Sequence, residues 1–77
     1  MNSQREIIQS IAETLGLSVA DVDKEASFRD DLNLGPVEFN DLVAQLSQKF
    51  DVILDPEEIA GVKTVDDLII LVEDNLI

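Results

Sequence analysis

The sequence predicts an all-α fold: a four-helix bundle of three main helices plus one short helix, with a long loop between the first two. Three observations carry that expectation. Apolar residues recur at helical spacing in three separate windows: Ile7, Ile8, Ile11 and Leu15; Phe39, Leu42, Val43, Leu46 and Phe50; and Val65, Leu68, Ile69, Val72 and Leu76. Start and stop residues bracket those windows, and no segment reads as a strand. With 77 residues the chain has room for one small domain, residues 1–77. A domain of this size buries only about 60% of its unfolded surface, so its stability is expected to be marginal.

The first helix is predicted to start at Ser3, whose hydroxyl caps it while Glu6, three residues on, completes a capping box. Gly16 stops it. A loop follows from about Leu17 to Gly35, with a short turn expected around Ala20 to Asp23 and Val19, Val22 and Phe28 as its anchors in the core. A loop of this length without structure of its own is unusual in a compact domain. The second helix runs from Pro36 to about Phe50. Proline suits the first helical position, where its missing N–H would be unpaired anyway. Its polar face carries Glu38, Asp41, Gln45 and Gln48. Asp55-Pro56-Glu57-Glu58 opens a short third helix reaching about Gly61. Thr64 caps the last helix, with Asp67 three residues later as a shorter form of the capping box, and Asp66 and Asp67 suit the positive end of its dipole.

Composition excludes several function classes. There is no cysteine, hence no disulfide or thiolate metal site, and no histidine, the commonest general base and metal ligand. Adjacent carboxylates such as Glu57-Glu58 and Asp66-Asp67 diverge on a helix, and no nucleophile has a base beside it, so no catalytic residue is named and the chain is not expected to be an enzyme. Asp21-x-Asp23-x-Glu25 starts like a calcium loop, but Ala26 replaces the glycine and Leu32 the closing glutamate, so no metal site is predicted. The longest apolar run, Leu68 to Val72, is far below the roughly 18 residues of a membrane span, and the polar start lacks the apolar core of a signal peptide. A cytoplasmic monomer is the expectation.

The net charge is −12, from 17 acidic and 5 basic residues. That field repels nucleic acid and anionic lipid. It attracts basic partners and speeds their encounter, although an acidic surface also serves solubility alone.

The segment Phe28-Arg29-Asp30-Asp31-Leu32-Asn33-Leu34-Gly35-Pro36-Val37-Glu38, with the helix that follows it to Phe50-Asp51, resembles the acyl carrier protein family. In that family a Phe-x-x-Asp-Leu loop leads into Asp-Ser-Leu and an acidic helix that closes on Phe-Asp. Further matching points are Ala26-Ser27-Phe28, Glu57-Glu58 and Thr64-Val65, so the resemblance covers nearly the whole chain. It implies an acyl-carrier-protein-like bundle and accounts for the long first loop.

The resemblance also implies a phosphopantetheine arm on a serine at the start of the second helix, and there the sequence departs from the pattern. Asp-Ser-Leu reads Gly35-Pro36-Val37, so Pro36 occupies the serine position and offers no hydroxyl. No cofactor is therefore predicted. Ser27 lies nine positions earlier and Ser47 deep in the helix, so neither replaces the missing serine without moving the frame. Phe39 stands on the buried stripe, where it either fills the cavity that family members keep for an acyl chain or is ordinary core. Val37, Glu38 and Asp41 form the candidate partner-binding face. Asn40 and Ala44 stand where larger apolar residues are usual, and Ser47, Gln48 and Lys49 replace a run of glutamates.

The expected function is a non-enzymatic, carrier-like interaction module. Its partner would be a protein with a basic patch, an enzyme of acyl-carrier-dependent metabolism being the candidate the resemblance implies. The alternatives are a genuine acyl or peptidyl carrier of fatty-acid, polyketide or related biosynthesis, and an unrelated acidic helical bundle.

Overall fold

A computed structural model describes residues 3–76. Helices α1 (Ser3–Leu15), α2 (Pro36–Phe50), α3 (Pro56–Ala60) and α4 (Val65–Asp74) follow in order, with a single 3-10 turn, Val19–Asp21, between α1 and α2. There is no strand among the described residues, and the all-α bundle stands as predicted. Helix α1 packs on both α2 and α4.

Periodicity translates directly into the core. Ile7 and Ile11 of α1, Leu42 and Leu46 of α2, and Val65, Leu68, Ile69 and Val72 of α4 are fully buried. Each such side chain stabilises the fold by roughly 1.5–3 kcal/mol relative to exposure. Ile8, Leu15, Phe39, Phe50 and Leu76 are half-buried and pack around that centre. The core also takes residues that no periodic window contained: Ala12, Ala26, Val52, Leu54 and Leu71. Val52 and Leu54 lie in the irregular link between α2 and α3, which turns them inward on either side of an exposed Ile53.

The helix ends show why these residues stop and start where they do. After α1, Gly16 takes φ +72°. The N–H of Leu17 donates to the carbonyl of Ala12 at 2.8 Å and that of Gly16 to Glu13 at 3.3 Å, the double bond of a Schellman cap. Ser3 lies within the helix and is not its predicted cap; the residues before it lie outside the described residues. Helix α2 ends on Asp51 in the left-handed region, with the Val52 N–H on the Ser47 carbonyl and the Ser47 hydroxyl donating to the Val52 carbonyl. The Asp55 carboxylate caps α3 through the Glu57 N–H at 2.8 Å. The capping box of Thr64 and Asp67 forms as predicted.

One expected anchor of the long loop is wrong. Val19 is 49% exposed, because the 3-10 turn that carries it sits on the outside of the bundle, closed by the Ser18 hydroxyl on the Asp21 carboxylate at 2.8 Å. The turn, Val19–Asp21, starts one residue earlier and ends two residues earlier than the sequence suggested. Asp23 likewise serves its own backbone, accepting the Glu25 N–H at 2.9 Å. Val22 is half-buried and Phe28 buried, as expected of anchors. The rest of the loop is held by hydrogen bonds instead of apolar periodicity. The Ser27 carbonyl accepts from Asp31 and Leu32, and Phe28 accepts from Leu34. Ser27 and Thr64 form an antiparallel bridge that ties the loop to the start of α4.

Candidate functional site at the start of the second helix

The site is built where the loop runs into α2. Gly35 is the N-cap, extended at φ −79° and ψ 174°, and it has no side chain to cap the helix. Pro36 is the first helical residue, and the Phe39 N–H makes the first helical bond, to the Gly35 carbonyl at 3.0 Å. Glu38, the third helical residue, folds back over this start: a Cβ added to Gly35 would lie 2.8 Å from its Oε2. A carboxylate there complements the positive end of the helix dipole.

Behind the helix start is a cleft of about 690 Å³, lined by Phe28, Arg29, Pro36, Phe39, Val62 and Lys63 among others. A second hollow of about 530 Å³ shares Pro36, Phe39 and Val62 with it and reaches Ile59 of α3. The Phe28 and Phe39 rings meet at a centroid distance of 5.2 Å, tilted by 55°. Phe39 is therefore half-buried wall, packed on Phe28 and facing both hollows. Two of the five basic residues, Arg29 and Lys63, lie on this one cleft.

The predicted docking residues come together. Val37 is 71% exposed, and Glu38 and Asp41 are exposed beside it. Their offsets of one, three and four residues place them on one side of the helix. The only cation on α2 is Lys49, at its far end, 3.8 Å from Glu13 of α1.

Sequence spacing alone sets Ser27 apart from Pro36. Nine positions before Pro36 in the chain, it lines the same cleft, because the loop folds back on itself. Its Oγ is already engaged as acceptor for the Asp30 N–H at 3.1 Å. Pro36 itself offers no atom that a phosphodiester could be built on, so the residue at the start of α2 does not fit a phosphopantetheine arm.

The acidity of Asp67 is displaced. Backbone N–H groups of Lys63 and Thr64 donate to its carboxylate at 3.1 and 3.2 Å and hold its pKa below the ordinary 3.8, with lesser help from the Thr64 hydroxyl and the Lys63 charge.

Comparison with known proteins places this architecture. The family model for the phosphopantetheine attachment site matches residues 5–72. An acyl carrier protein of Myxococcus xanthus is 36% identical over 73 residues, covering 90% of this chain and 92% of the relative. One from an Exiguobacterium species is 32% identical over 71 residues, covering 92% and 90%. The crystal structure of an acyl carrier protein from Thermotoga maritima superposes with a TM-score of 0.75 at 28% identity, over 94% of this chain and 84% of that one. The chain belongs to the acyl carrier protein family, whose members are carriers and not enzymes. No helix among the described residues is long and apolar enough to cross a membrane.

Proposed function

We propose that this chain is a carrier-family docking module. It presents the protein-binding face of an acyl carrier protein to an enzyme of acyl-carrier-dependent metabolism, in the cytoplasm and as a monomer, and carries no phosphopantetheine. The observation that supports this reading is Pro36 at the first position of α2. We take that position to be the attachment site, and proline has no hydroxyl to esterify. Gly35, standing for the aspartate of the family pattern, removes a second element of the same motif.

The docking face is Val37 as the apolar contact with Glu38 and Asp41 as flanking charges, all exposed. The net charge of −12 favours a basic partner and fast association. The face retains an acidic character while the attachment chemistry is gone, which suits recognition without cargo.

A second reading is that the chain is a working acyl carrier. The comparisons by themselves favour it: the matched family model is described as the attachment site, and the relatives reported above are named acyl carrier proteins. It requires attachment at another hydroxyl, and Ser27, on the same cleft, is the candidate.

One experiment separates the two. The chain is co-expressed with a broad-specificity phosphopantetheinyl transferase and its intact mass measured. The docking reading expects the unmodified mass. A gain of one phosphopantetheine overturns it, and loss of that gain in Ser27→Ala assigns the attachment. The docking face is tested against any partner so found: Val37→Ala and Asp41→Lys weaken binding without lowering the melting point, and unchanged affinity in both moves the binding face elsewhere.

A further inference from the structure

Cations are scarce in this chain, and two of the five come together at the cleft. Arg29 and Lys63 are far apart in sequence. Backbone pairing brings them to one place: the Phe28 N–H donates to the Lys63 carbonyl at 3.0 Å, and the adjacent Ser27 and Thr64 form the antiparallel bridge. Both charged side chains are exposed. A chain with 17 acidic residues has ample means to neutralise them from within. Among the described residues, neither forms an ion pair. Asp30 lines the same cleft without pairing to either, and Lys63 acts on the Asp67 carboxylate through its charge alone.

The rest of the lining is mainly apolar. The Phe28 and Phe39 rings meet at 5.2 Å, and Leu34, Pro36 and Val62 line the cleft with them. Phe28 is buried, so the half-buried Phe39 offers the larger accessible surface. Ser27 adds a donor. Its Oγ accepts the Asp30 N–H at 3.1 Å and keeps its own hydrogen to give. The volume of about 690 Å³ falls in the range of small-molecule sites, which are mostly apolar with a few polar groups that fix orientation. Two effects decide what would enter. Glu38 already folds over the start of α2, so an anion is drawn to Arg29 and Lys63 and not to the helix dipole. The net charge of −12 opposes any anion, so a bare ion gains little and an apolar body has to supply the rest.

We propose that this cleft is a non-covalent site for a short amphiphilic anion. A carboxylate or phosphate head is held by Arg29 and Lys63, and an apolar body lies on Phe39 and Val62. The site needs no attachment at Pro36. Val37, Glu38 and Asp41 do not line it, so it stands or falls independently of the docking reading.

Titration of the isotope-labelled full chain, followed by NMR amide shifts, tests this at about 0.1 M salt, where charges more than about 10 Å apart are largely screened. Octanoate and octyl phosphate are the probes; octanol lacks the charge and inorganic phosphate lacks the apolar body. Both amphiphiles are expected to shift the amides of Phe28, Arg29, Phe39 and Lys63 saturably and to leave Val52 and Ile70 unmoved. An exposed charge pair is worth about threefold to fivefold in affinity, so octanol, which forfeits two, is expected to bind about tenfold more weakly or worse. Inorganic phosphate is expected to fall at least as far behind. Arg29→Gln and Lys63→Gln, both at exposed positions, each weaken the amphiphiles by about threefold to fivefold, whereas Lys49→Gln at the far end of α2 leaves their affinity within about twofold. Saturable binding of only one of the two amphiphiles upholds the site and identifies its head group. The proposal is overturned if octanol binds as tightly as octanoate, since the cleft then reads hydrocarbon alone, or if inorganic phosphate matches octyl phosphate, since the apolar wall then contributes nothing. It is equally overturned if Lys49→Gln weakens binding as much as the cleft variants, or if neither amphiphile gives a saturable shift, and the probe comparison requires no variant to fold.

Discussion

Asp67 links a sequence motif, a local geometry and a pH dependence, so Asp67→Asn is a sharp perturbation. The asparagine oxygen can still accept the Lys63 and Thr64 N–H groups that the carboxylate holds at 3.1 and 3.2 Å, so the change removes mainly charge. Charge near a helix N-terminus is worth about 0.3–1 kcal/mol at exposed sites. Asp67 is exposed, and water screens it, so the low end applies: about 0.5 kcal/mol, or roughly 2–4 °C in melting point for a domain of this size.

The sign follows from the direction of the acidity shift. The folded protein holds the Asp67 pKa below its ordinary 3.8, so the folded state favours the ionised form. The stabilisation is complete above the unfolded value and disappears as pH falls through the lower folded one. Absolute stability is a poor readout, because protonating the other 16 acidic residues relieves the repulsion of a −12 chain over the same range. The difference between the two proteins cancels that background. Thermal melts followed by circular dichroism at 222 nm are expected to show a gap between them that is constant from pH 7 to about 5 and closes below pH 4. A gap that persists unchanged to pH 3 would refute the assignment of the shift to this carboxylate's capping bonds.

Three further outcomes are expected. Ser10 is 4% exposed and its hydroxyl has no hydrogen-bond partner among the described residues, so Ser10→Ala is expected to raise stability by about 1 kcal/mol, measured by urea unfolding; a lower midpoint would mean the hydroxyl is satisfied in solution. Leu46 is fully buried in α2, and Leu46→Ala is expected to cost about 2–5 kcal/mol, enough to leave a domain of marginal stability largely unfolded at 37 °C; retention of a normal melting transition would show that the core collapses around the gap. Raising sodium chloride from low concentration to about 0.2 M is expected to raise the melting point by screening the repulsion among 17 carboxylates, and a midpoint indifferent to salt would show that repulsion does not limit stability.

Helix existence, type and order were legible in the chain because each rests on short-range rules. The spacing of Leu42, Val43 and Leu46 determines which side of α2 is apolar, Pro36 and Gly16 mark an entry and an exit through backbone geometry alone, and the Thr64–Asp67 box needs only four consecutive residues. The exposure of Val37, Glu38 and Asp41 on one side of α2 was legible for the same reason: they are neighbours by helical offset, and the apolar stripe opposite leaves them outside. The absence of a hydroxyl at Pro36 is chemistry of the residue itself.

What only the tertiary structure decided lies in segments with no period. Val52 and Leu54 turn inward while Ile53, between them, is 91% exposed, and nothing local distinguishes the three. Val19 and Val22 read alike in the chain, yet the outward 3-10 turn exposes the first and leaves the second half-buried. Ser27 and Pro36 line one cleft, and Ser27 meets Thr64, because the loop is paired with a distant backbone. Hydrogen bonds between segments far apart in the chain depend on where both are brought by the packing of α1, α2 and α4. A single helix carries its own register in its side-chain spacing; a loop acquires its conformation from the surface on which it is laid.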